Sequence, residues 1–307
     1  LVNGNSIPTA TWYQAAGPEL SQVQILGVVS NAPIGTNQTF GHFTWDGSGY
    51  QTGIADLAFS SALVQGDFTV QSTGTGEIVL NNGGSGSLTV NGDFNLQGGQ
   101  VSFINLGVSV VSLTLAGNYN QTGGTLQRGS GTSIQNLLFT NTAPRTYSFS
   151  GGTFNSSGIA ITLSLGSTLT LNSPITVNQS FVNNGTLYLQ DKIMSGAGTF
   201  THTSANTATL GIGHADGIES TGSVGNIQVS GTRIYGANAN YLYNGIVPQV
   251  SGKGLGTAYN LTIDNPSHVV QKSAANTTQN VTVNNQFTLS NGNYHIGGIF
   301  RHLNTFT

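Results

Sequence analysis

The stretch Ser87–Gly99 reads SLTVNGDFNLQGG, and it returns as SLTLAGNYNQTGG at Ser112–Gly124, with the same offset at every matched position. A fixed period of this size marks a stacked-repeat architecture. Within the first copy the apolar residues alternate, Leu88 and Val90, then Phe94 and Leu96. That is strand spacing, with successive side chains on opposite faces. A glycine pair closes each copy, where a turn needs backbone conformations that other residues enter only at a cost. One repeat is therefore strand, turn, strand, turn, and the next repeat lies on top of it. The fold this implies is all-β, a parallel β-helix.

Working outward, GDFTV at Gly66–Val70 matches GDFNL at Gly92–Leu96 one coil later. Phe68, Phe94 and Tyr119 are then expected to form a structural stack inside the solenoid. Looser copies follow at Ile175–Asn178 with Phe181, and at Val281–Asn284 with Phe287. The return of the phrase so far along the chain favours one continuous solenoid. At roughly 22–26 residues per coil the chain should make about 12 coils. Residues 1–62 are less regular and read as capping coils, with Trp12 and Tyr13 covering an end. Residues 63–307 read as the regular β-helix. Asn293–Thr307 resembles the first half of a further coil. The helix is thus expected to be incomplete there, leaving a strand edge for more chain or for a second molecule stacked end to end.

Composition narrows the function classes. Charged residues are 6% of the chain, against about 25% in ordinary globular domains. Stacked coils explain the depletion, because like charges on adjacent rungs repel, whereas stacked Asn, Ser and Thr bond along the stack. The net charge of −3 provides no basic footprint for nucleic acid. No apolar run is long enough to span a membrane as a helix. The chain has no cysteine, which removes disulfide frameworks and zinc fingers. No cofactor motif is present. The chain begins at Leu1 without Met and reads as a mature or trimmed chain, with any signal peptide already gone.

Candidate chemistry is sparse. Asp67, Asp93 and Asn118 hold equivalent turn positions in successive coils and read as a ladder of turn caps. His214, Asp216 and Glu219 are the densest polar cluster, and their residue types suit a metal. The competing reading is a solvated turn between coils, which the sequence favours. Tyr235, Tyr241 and Tyr243, with Asn240, Asn244 and Arg233, form the candidate glycan-contact patch. Aromatic faces beside amides suit sugar rings, although alternate tyrosines on a strand also suit a core. No catalytic residue is assigned.

Several phrases together resemble the repeats of large secreted surface proteins of Bacteroidetes bacteria. They are Leu88–Phe94, Gly117–Gly124, Ala208–Ile218 and Asn260–Asn265, with Asn37–Trp45 similar to a segment near the start of such arrays. The likeness runs from about Asn31 onward. It implies a right-handed parallel β-helix, export to the cell surface through a type IX route, and an adhesin-like or structural role, as a stalk or filament subunit. It also implies that the Gly-rich segment around His214 is a connector, and it brings no catalytic residues. The expected partners are a second copy or surface glycans. The competing function is a carbohydrate-active enzyme, a polysaccharide lyase or glycoside hydrolase, or a glycan-binding module on the same scaffold.

Overall fold

The computed structural model describes residues 6–10 and 21–306. Trp12 and Tyr13 lie outside the described residues. The described chain is all β, without a helix, and its parallel sheets stack as a β-solenoid of about 11 turns. Its residues group into two compact units: Leu1–Asn141 with Arg145–Ile161, and Thr142–Pro144 with Thr162–Thr307.

In the first unit each coil contributes three short strands, one to each of three parallel sheets. One coil supplies Gly86–Val90, Phe94–Leu96 and Gln100–Ser102. The next supplies Val111–Leu115, Tyr119–Gln121 and Thr125–Gln127. Leu88 pairs with Leu113, Phe94 with Tyr119, and Val101 with Leu126. All three faces therefore step by the offset of the repeated phrase. The sequence period and the rung-to-rung register are the same quantity.

The alternation sorts side chains between core and surface. Leu88, Val90, Phe94, Leu96 and Val101 are buried. The rings of Phe43, Phe68, Phe94, Tyr119 and Tyr147 lie one over another, with successive centroids 5.4, 5.8, 5.5 and 4.9 Å apart. Neighbouring planes differ by 26° at most. Parallel in-register pairing forces this, because each ring sits directly over its counterpart one rung away. Each stacked pair adds about 0.5–1.5 kcal/mol beyond its burial. The Tyr119 hydroxyl donates to Gln121 Oε1, so the polar tip is satisfied inside the core.

Tight turns join the strands. Gly117 is required by close approach, because a Cβ there would lie 1.9 Å from the Gly92 carbonyl oxygen of the coil below. Gly124 is required by its φ of +65°. Between them runs the ladder of turn caps. Asp67 Oδ1 accepts from Asp93 N at 2.8 Å, Asp93 Oδ1 from Asn118 N at 2.8 Å, and Asn118 Oδ1 from Thr146 N at 2.9 Å. Each side chain closes the turn of the next coil.

The second unit keeps the parallel register but varies the coil length. Leu169 pairs with Leu187, Leu187 with Leu210, Leu210 with Tyr241, and Tyr241 with Leu261. These steps are unequal, the shortest from Leu169 to Leu187 and the longest from Leu210 to Tyr241. Extra residues leave at the corners as excursions, and the sheet stays continuous, with register shifts where Thr257–Asp264 meets Val281–Asn291. The longest excursion runs over 213–232, between the strands Thr209–Ile212 and Arg233–Tyr235.

Candidate functional site

The 213–232 excursion and the strands beside it carry most of the candidate residues. The structure does not form an exposed tyrosine platform. Tyr241 and Tyr243 are 1% and 0% exposed, because the strand Asn240–Tyr243 alternates and turns them inward. Their hydroxyls donate to main-chain oxygens of Gly236 at 2.9 Å and Ser251 at 2.5 Å. Burial pushes both phenols well above their ordinary pKa of 10.0. These two residues are core, which corrects the glycan-contact assignment for them.

Arg233 and Tyr235 fasten the excursion instead. The Arg233 guanidinium donates to Val229 O at 2.9 and 2.8 Å, to Glu219 O at 3.1 Å, and to Gly222 O. Tyr235 donates to the same Glu219 carbonyl at 3.1 Å. An Arg fork suits this work, since it presents several donors in fixed geometry. With its donors engaged on the loop, Arg233 is a clamp rather than a sugar contact.

Asn240 faces outward and belongs to a ladder of amides. Asn240 Nδ2 donates to Thr209 Oγ1 at 3.5 Å, and Asn260 Nδ2 to Asn240 Oδ1 at 2.8 Å. Asn285 Nδ2 donates to Asn260 Oδ1 at 2.8 Å, and Asn304 Nδ2 to Asn285 Oδ1 at 3.4 Å. One polar row thus crosses five successive rungs.

His214 and Asp216 come together, and Glu219 does not join them. His214 Nδ1 accepts from Asp216 N at 3.1 Å and lies 3.8 Å from Asp216 Oδ2. Glu219 is 6% exposed, and its Oε1 accepts from Ala274 N at 2.6 Å. Among the described residues no three His, Cys, Asp or Glu side chains are grouped to hold a metal. The weak metal candidates therefore resolve into a turn contact and a loop tether.

Two features were not foreseen from the sequence. His202 is fully buried and meets Asn183 Nδ2 through Nδ1 at 3.1 Å and Asn240 O through Nε2 at 3.3 Å. Burial lowers its pKa to about 4. Its signal was present, since His202 sits two residues after inward-facing Phe200. The second feature is a groove of about 610 Å³ beside His214, built from Gln190–Asp191, Gly213–Ala215 and Asn244–Val247. It combines turns from three separate coils, which no local pattern reveals.

Register-matched coils, an interior column of rings and side-chain ladders along the rungs define a parallel β-solenoid repeat protein. No family model matches the chain, and neither a curated protein nor a solved structure matches it.

Proposed function

We propose that this chain is a non-enzymatic structural or adhesive protein of the bacterial cell surface, working through its shape and its repeated polar faces. The observation that carries this reading is what six of the ten acidic side chains do. Asp46, Asp56, Asp67, Asp93 and Glu219 all accept main-chain N–H groups of turns or neighbouring coils. Glu77 accepts from Gln100 and Ser102 on the adjacent rung. A general acid or nucleophile has to face a substrate, whereas these groups hold the scaffold. The outward amide row supports the same reading, because it presents a repeating polar surface without needing charge.

The likeness to Bacteroidetes surface repeats supports export to the cell surface, with a type IX route as part of the proposal. Immunogold labelling of intact cells producing the native protein tests it. Surface label on unpermeabilised cells is the expected result. Label appearing only after permeabilisation would overturn the surface assignment, and turnover of a polysaccharide by the purified chain would overturn the non-enzymatic one.

A further inference from the structure

The groove beside His214 has the chemistry of a binding site, and the residues that make it have no part in the ladders. Gln190, at one wall, holds a φ of +52°, a left-handed conformation that a non-glycine residue enters only at a cost. Ile246 forms another wall and is 84% exposed, the highest value among the large hydrophobic side chains described. Val247 beside it is 46% exposed. Such aliphatic exposure, next to a concave surface with polar groups, is the usual anatomy of a ligand site.

The polar groups are few and specific. Asp191 is largely exposed, with Oδ1 held by Lys192 Nζ at 2.5 Å. That contact holds its carboxyl below the usual range, and Oδ2 remains as an acceptor. His214 accepts at Nδ1 from Asp216 N, which leaves Nε2 to carry the ring proton and donate. Asn244 lines the groove, but its Oδ1 is buried and is not presented to it. The site thus pairs a carboxylate acceptor and an imidazole donor with an aliphatic wall.

We propose that this groove binds neutral pyranose rings of a glycan. The C–H face of the ring packs on Ile246 and Val247. Hydroxyls donate to Asp191 and accept from His214. The volume lies in the range of about 300–1,000 Å³ that small-ligand sites occupy. Among the described residues the one cation beside the groove, Lys192, is already paired with Asp191, so no second cation is at hand for a phosphate or a uronic acid, and neutral rings fit better. The proposal deepens the adhesive reading by naming its ligand class, and it rests on that reading only for its biological setting.

Saturation-transfer NMR on the full chain tests it, with the methyl glycosides of glucose, galactose, mannose and N-acetylglucosamine as probes, and methyl glucuronide as the acidic control. At least one neutral glycoside should bind with a dissociation constant on the order of 1–10 mM. Ile246→Asp and Asp191→Ala should each weaken it about tenfold or more. Both positions are exposed, and circular dichroism of each variant verifies that the fold is intact. Absence of transfer to all four neutral probes would overturn the proposal, as would binding unchanged in both variants or tighter binding of the glucuronide. Label confined to the cell interior would sink the surface reading and leave this one standing, so the two failures are distinguishable.

Discussion

Acid should destabilise this protein through one buried imidazole. His202 Nδ1 receives a hydrogen from Asn183 Nδ2, and that amide also donates to Thr209 O at 3.0 Å while its Oδ1 accepts from Gly185 N at 3.1 Å. Nδ1 is therefore an acceptor, and a proton placed there would face an amide that can only donate. Burial opposes the charge further and is the main reason the pKa falls from 6.5 to about 4. The folded state takes up this proton less readily than the unfolded chain does. The contribution of neutral His202 is fully present above pH 6.5 and is lost as pH falls from there to about 4. At about 1.36 kcal/mol per pH unit, the loss comes to about 3 kcal/mol. Urea unfolding followed by circular dichroism at pH 7, 5.5 and 4 measures it, in the wild type and in His202→Gln. Carboxylates contribute equally to both proteins, so the difference between the two pH profiles isolates the imidazole. The wild type should lose about 3 kcal/mol more than the variant between pH 7 and 4. Parallel profiles would refute the reasoning.

Other perturbations probe the core. Phe94→Ala empties the middle of the five-ring column and should cost about 3–5 kcal/mol in urea unfolding, whereas Phe94→Leu should cost clearly less. At high pH the buried tyrosines act in the opposite sense to His202. Burial raises the pKa of Tyr119, Tyr147, Tyr241 and Tyr243 above 10.0. Their contribution is full below pH 10 and is lost as pH rises above it. The tyrosinate absorbance of these four should then appear only with the loss of β-sheet circular dichroism, so a step of at least four phenols should coincide with unfolding.

Much of this fold is legible in the sequence because the repeat is unbroken where it matters. Leu88, Phe94 and Val101 each recur one period on as Leu113, Tyr119 and Leu126, and each pair is a register pair. The same spacing made the turn ladder from Asp67 to Asn118 readable. Coil number is less legible, because the step from Leu210 to Tyr241 carries a corner excursion that a uniform period cannot anticipate. The glycan-contact patch failed for a related reason. Tyr241 and Tyr243 look like an aromatic surface in one dimension, yet Asn240 and Leu242 take the outward positions of that strand. Arg233 and Tyr235 look equally available until the 213–232 excursion folds back onto them. The groove draws on turns of three coils, so its residues become neighbours only once the coils are stacked.

The absence of cysteine allows a direct test of the stacking itself. Asn95 and Asn120 are register partners whose side chains meet at 3.0 Å across adjacent rungs. The double variant Asn95→Cys with Asn120→Cys places its Cα atoms about 4.8 Å apart, within disulfide range. Asn95→Cys with Thr122→Cys shifts the second position two residues along the chain, just past the end of the strand Tyr119–Gln121, to about 8 Å, beyond that range. Under mild oxidation the matched pair should cross-link nearly completely and the shifted pair should stay reduced, read by mass spectrometry of the disulfide-linked peptides. Equal cross-linking of the two pairs, or none in the matched one, would contradict the register on which the solenoid is built.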